Sequence, residues 1–165
     1  KTEGKVHMGF KIELRKLWSD ISGILNRRTR QQIWITGHSL GGAMATLCGS
    51  RLEERSPIVY TYGSPRVGGK EWRDGCDIEH YRFSNNNDVV PSVPLWLMGY
   101  RHHGKLCYMN YYGNIRKLTP WQKFKDSMRG RWKALKKFQL FDGIYDHNIV
   151  LYSDKLKEIA FRELV

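Results

Sequence analysis

Ser39 lies in the run Ile33-Trp34-Ile35-Thr36-Gly37-His38-Ser39-Leu40-Gly41-Gly42-Ala43-Met44-Ala45. An apolar strand enters this run, a helix-like segment leaves it, and the serine stands at the turn between them. A serine held in so sharp a turn presents its Oγ clear of the sheet, as an acyl-transfer nucleophile must. Gly37 and Gly41 are expected to flank it because Cβ atoms there would collide across the turn. Gly42, Ala43 and Ala45 keep the following helix slim against the strand. The helix N-terminus aims unpaired N–H groups at developing negative charge. The Leu40 N–H, next after the serine, is the expected oxyanion donor. His38 is expected to pack beside the site or to line it as a substrate-binding residue.

A serine hydroxyl is a weak nucleophile until a base takes its proton, and an imidazole base needs a carboxylate to fix its tautomer. On α/β sheets the partners follow the serine in the order carboxylate, then histidine. Asp88 sits in the polar loop Asn85-Asn86-Asn87-Asp88 after a strand, and His147 sits in a loop before the last helix. Both are placed by topology to converge on Ser39. Asp142 and Asp146 are rival carboxylates, but they share the loop of His147 and read as loop formers. Asp88 itself could simply close a turn. His102 and His103 are the rival bases and read as structural, and His7 is expected to support the loop beneath the site.

The elements that must position these groups follow from periodicity. Phe10, Leu14, Leu17, Trp18, Ile21 and Leu25 recur at steps of three and four and predict a helix over about 9–27. Strands are expected near 32–37, 58–62, 79–83 and 105–111, and helices near 40–54, 68–75 and from 149 onward. Thr119, Pro120 and Gln122 open a further helix over about 120–138 with a capping-box pattern. Strands alternating with helices imply a mostly parallel sheet with helices on both faces. Such sheets bind ligands beyond the C-terminal strand ends.

The chain resembles the class 3 (fungal-type) lipases of the α/β-hydrolase fold. The resemblance rests on Val6-His7-Met8-Gly9-Phe10, Thr36 to Ala43, Tyr60 to Gly68 (through Gly63-Ser64-Pro65-Arg66), Asn87-Asp88-Val89-Val90-Pro91 and Asp146-His147. It implies Ser39 as nucleophile, Asp88 as acid and His147 as base. It further implies hydrolysis of glycerolipid carboxylic esters through an acyl-enzyme, with no metal or cofactor. Phospholipase A1 activity is the enzymatic alternative, and a non-catalytic lipid- or membrane-surface-binding module is the alternative of another class. In that family, strands before the Val-His-x-Gly-Phe motif carry a first oxyanion donor. Only five residues precede the motif here. Residues 1–165 are therefore expected to be a single α/β-hydrolase domain, truncated at its N-terminal side. An absent N-terminal segment or complementing chain would complete it, and activity alone is expected to be weak.

The composition bounds the partners. The chain has 165 residues, 41% hydrophobic and 27% charged, within the range of globular domains. The net charge is +12, and residues 101–137 hold eleven Lys or Arg against one acid, Asp126. With Trp121, Phe124, Trp132 and Phe138 interleaved, residues 116–137 could meet an anionic membrane surface or act as a lid. A packed helix with a solvated basic face has the same pattern. No nucleic-acid motif is present, and nucleic acid is not expected as a partner. The three cysteines are widely spaced, without a metal-ligand pattern, and favour a reducing compartment. A cytoplasmic or peripheral-membrane location is the corresponding expectation.

Overall fold

The computed structural model describes residues 4–86, 88–110, 114–116 and 146–163. Nine principal elements follow one another along the chain: α1 (Met8–Asn26), β1 (Trp34–His38), α2 (Leu40–Arg51), β2 (Ile58–Tyr62), α3 (Lys70–Gly75), β3 (Glu79–Asn85), β4 (Lys105–Met109), β5 (Ile115–Arg116) and α4 (Ile149–Glu163). The expected helix over 120–138, and with it most of the basic segment 116–137, lies outside the described residues, as does Asp142.

The five strands lie side by side in chain order, β1 through β4 parallel and β5 antiparallel to β4. Parallel pairing demands a crossover between successive strands. Between β1 and β2 that crossover is α2, whose slim first turn comes from Gly42, Ala43 and Ala45, all buried. At Gly49 a Cβ would lie 2.6 Å from the Val59 side chain, so the middle of α2 rests directly on β2.

Side chains alternate across each strand. Val59 of β2 points into a core shared by Leu14 of α1, Leu47 and Cys48 of α2, Trp72 of α3, and Cys76. Phe10, Trp18 and Ile21 extend the α1 stripe against the same core. The opposite face carries stacked aromatics: Trp34 on Tyr60, Tyr60 on Tyr81, and Tyr62 on Phe83. Tyr152 of α4 meets Tyr62 edge-on from that side, so helices lie on both faces as the strand–helix alternation requires. Among the described residues β1 is an outer strand, and Trp34 is exposed there.

Cys48 and Cys76 are buried and Cys107 is half-buried, all as free thiols. Burial raises all three, Cys76 to about 11. Among the described residues, no helix is long and apolar enough to cross a membrane.

Candidate active site

Ser39 is the residue between β1 and α2, and its backbone is strained. It holds φ 56° and ψ −127°, a conformation that costs a residue with a Cβ. Three backbone bonds fix it there. Its N–H donates to Tyr62 O at 2.9 Å, and its carbonyl accepts from the Gly42 and Ala43 N–H groups at 3.0 and 3.3 Å.

The glycines around it divide differently from expectation. At Gly37 a Cβ would sit 2.3 Å from Gly41 O, an impossible approach. At Gly42 it would meet Ser64 Cβ at 2.9 Å. At Gly41 it would meet nothing within 4 Å outside its own helix turn. The expected collision at Gly41 is therefore corrected. Gly41 is exposed, on the outer side of α2, and Gly42 faces inward.

His147 reaches this turn from the loop before α4. Its Nε2 lies 2.8 Å from Ser39 Oγ, and its Nδ1 lies 2.9 and 3.0 Å from the two Asp88 carboxylate oxygens. A carboxylate only accepts, so Nδ1 carries the proton and Nε2 is left to accept from the serine hydroxyl. The Asp88 side chain is wholly buried, and the His147 side chain is 18% exposed. Two further donors reach the buried Asp88 carboxylate. Val90 N–H gives to Oδ1 at 2.9 Å and the Tyr152 hydroxyl to Oδ2 at 2.6 Å.

By its spacing alone, Tyr152 is one more apolar-stripe residue of the last helix. It is fully buried, and its oxygen also accepts from Asn85 N–H at 2.9 Å. Burial and the neighbouring Asp88 charge hold its hydroxyl far above the usual tyrosine range. The available signal was general: a buried tyrosine needs a partner for its hydroxyl. Gly63 is a second residue whose part was not seen. With φ 56°, it lies beneath the imidazole–carboxylate pair, where a Cβ would come 2.7 Å from Asp88 Oδ2 and 2.9 Å from His147 Nδ1.

His38 turns its Nε2–H to the His147 carbonyl at 2.7 Å, its ring 4.5 Å from the His147 ring. It thus holds the loop that carries the imidazole. Burial lowers its pKa from the ordinary value. Asp146 is also an anchor: its carbonyl accepts from Asn85 Nδ2 at 2.9 Å and its carboxylate from Asn86 Nδ2 at 3.1 Å. Leu40 is the first residue of α2, so its N–H has no acceptor within the helix.

The other histidines are engaged elsewhere. His102 Nε2–H donates to Pro91 O, and His103 Nε2–H donates to Cys76 O. That leaves His103 Nδ1 to accept from His80 Nδ1–H at 3.1 Å, and His80 Nε2 to accept from the Thr61 hydroxyl at 2.9 Å. This hydrogen-bond chain needs neutral rings, and burial lowers both His103 and His80, the latter to about 3; burial likewise depresses His102 to about 3. His7 packs against Phe10 with the rings tilted, beside Tyr100, and its backbone N–H donates to Val67 O. Among the described residues no group of three or more His, Cys, Asp or Glu side chains could hold a metal ion.

A family model, Lipase (class 3), matches residues 1–98. The toxin TseL of Vibrio cholerae is 37% identical over 98 residues, which is 56% of this chain and 15% of the toxin. A lipase of Rhizopus niveus is 32% identical over 114 residues, 61% of this chain and 29% of that protein. A solved structure described as "a serine protease triad forms the catalytic centre of a triacylglycerol lipase" superposes with a TM-score of 0.59 at 29% identity. It covers 66% of this chain and 46% of its own. The match spans under a third of each of these two curated relatives.

Proposed function

The chain belongs to the class 3 lipases, and from that premise we propose that it hydrolyses carboxylic esters of glycerolipids through Ser39, His147 and Asp88. Residues 1–165 act in this reading as one α/β-hydrolase domain. Ser39 Oγ attacks the ester carbonyl while His147 Nε2 takes its proton. Asp88 keeps the imidazole in the right tautomer and stabilises the imidazolium that forms. The Leu40 N–H donates to the oxyanion of the tetrahedral intermediate, a contact worth about 3 kcal/mol in such sites. His147 then protonates the departing alcohol, leaving an acyl-enzyme that water cleaves by the same steps in reverse order.

The observation that carries this reading is the unbroken hydrogen-bond chain from Ser39 Oγ through both imidazole nitrogens to a buried carboxylate. The strained φ of Ser39 supports it, because strain of this kind is kept where geometry is overdetermined. The family supports an ester substrate, and the superposed triacylglycerol lipase is described as having a triad of this type.

A fluorophosphonate probe tests the proposal. Labelling of the whole chain that Ser39→Ala abolishes and His147→Ala strongly slows is the expected result. Folded protein that takes up no label would refute acyl transfer and favour a non-catalytic lipid-binding module. Parallel turnover of a triacylglycerol and a phosphatidylcholine then separates a neutral-lipid lipase from a phospholipase A1.

A further inference from the structure

At the far end of α2 from Ser39, helices α1, α2 and α3 surround a pocket of about 210 Å³, and Ser50 lines it. At about 1.5 Å of helical rise per residue, Ser50 lies about 16 Å along α2 from the Ser39 turn. The pocket is therefore separate from the chemistry proposed above.

Its walls divide by character. Leu14, Leu47 and Trp72 are buried and supply apolar surface. Lys11, Arg15 and Arg51 are exposed and supply three cations. No acid is among the described residues that line it. An apolar cavity of about 150 Å³ is enough to hold benzene, so this one has room for an alkyl chain of about seven or eight carbons.

The cations are gathered without a counter-charge. Lys11 and Arg15 stand one turn apart on α1, a like-charged spacing that destabilises a helix, and no Asp or Glu lies three or four residues from either. Elsewhere on the same helix Lys16 is paired, with Glu13 at 2.7 Å. Lys11, Arg15 and Arg51 are in no ion pair among the described residues. Arg51 is also held in place. Its guanidinium lies 3.9 Å from the Trp18 ring centroid, and Trp18 stands one turn after Arg15 on α1. A cation fixed in advance loses less freedom when it takes a ligand.

An anion that carries an apolar tail uses both halves of such a pocket. Its carboxylate accepts from the guanidinium and ammonium N–H groups. Each methylene that leaves water against the apolar wall strengthens binding about fourfold.

We propose that this pocket binds a medium-chain fatty-acid anion, its carboxylate among Lys11, Arg15 and Arg51 and its chain against Leu14, Leu47 and Trp72. The binding stands on the pocket's own chemistry. That the protein itself releases such an acid rests on the hydrolysis proposed above.

The test is titration of the isotope-labelled whole chain with sodium octanoate, followed by amide NMR. The Ser50 and Arg51 amides and the Trp72 indole N–H report on the pocket, and the Leu40 amide reports on the candidate active site. Octanoate is expected to shift the pocket signals to saturation. Butyrate, which lacks most of the chain, and octanamide, which lacks the charge, should each bind about tenfold more weakly or worse. Lys11→Gln with Arg15→Gln should weaken octanoate about tenfold or more while leaving the fold intact by circular dichroism, since both side chains are exposed. Arg51→Gln carries the same reading should the double variant unfold. Shifts confined to Leu40 and its neighbours would overturn the proposal, because they would place the acid at the active site only. Octanamide binding as tightly as octanoate, inorganic phosphate binding as tightly as octanoate, or affinity indifferent to the cation variants would overturn it as well. The readout is binding and not turnover, so failure here leaves the fluorophosphonate result at Ser39 untouched.

Discussion

Gly63→Ala should cost activity out of proportion to the single methyl group it adds. Gly63 holds φ 56°, where alanine is disfavoured by about 1–2 kcal/mol. The new Cβ would stand 2.7 Å from Asp88 Oδ2 and 2.9 Å from His147 Nδ1, when about 3.4 Å is ordinary contact. Something must move by about half an ångström or more. Asp88 is fastened by Val90 N–H and the Tyr152 hydroxyl, both within 2.9 Å. The partly exposed imidazole is the member free to give way. Its displacement stretches the 2.8 Å bond to Ser39 Oγ. A misplacement approaching 1 Å in a reacting group costs about a hundredfold in rate, roughly 2.7 kcal/mol of barrier. The assay is kcat/KM on a short-chain p-nitrophenyl ester, which needs no lipid surface, with a thermal melt alongside. Gly41→Ala is the matched comparison, since its Cβ meets nothing and alanine suits a helix better by about 1 kcal/mol. Gly41→Ala should therefore melt no lower than the parent. A folded Gly63→Ala variant working within about threefold of the parent would show that the pair tolerates the methyl group and that the steric argument is wrong.

Three further outcomes follow from the same contacts. Ser39→Gly should unfold at higher urea than Ser39→Ala by about 1 kcal/mol, because glycine relieves the positive φ; equal midpoints would mean the turn stores no strain. Tyr152→Phe strands Asn85 N–H and removes a donor from a buried carboxylate, so urea denaturation should show a loss of about 2–4 kcal/mol. A variant as stable as the parent would mean that water replaces the hydroxyl. Acid should destabilise the fold well before the carboxylates titrate. His80 and His102 are held at about 3 by burial but charge near 6.5 when unfolded, so the unfolded chain binds more protons. Their contribution is complete above about pH 7, falls as pH drops below 6.5, and is gone near 3. At pH 5 each histidine has cost on the order of 2 kcal/mol. Urea midpoints that do not change between pH 8 and pH 5 would contradict this.

What could be read in the sequence and what could not divide along one physical line. Features set by neighbours within a turn or two were legible. The apolar steps of α1 gave its span to within a residue, and β2 lies where Ile58 to Tyr62 alternate. The loops bearing Ser39 and Asp88 were legible because a parallel sheet projects its C-terminal strand ends to one rim, and His147 because the histidine follows the carboxylate in chain order on such sheets. Properties that depend on a partner far along the chain were not. Tyr152 looks like any stripe residue until Asp88 and Asn85, more than sixty residues earlier, arrive at its hydroxyl. Gly63 looks like a strand-ending glycine until two side chains from separate loops close over it. Gly41 and Gly42 are indistinguishable in the motif, and only the direction of α2 against β2 and Ser64 decides which one is sterically required. The apolar run Val93 to Met98 falls between these cases. Its composition is plain in the sequence, where a core segment would read the same. The outward direction of its side chains is a fact of the fold, imposed when Arg66, Arg101 and Lys5, from three separate places in the chain, take hold of its carbonyls.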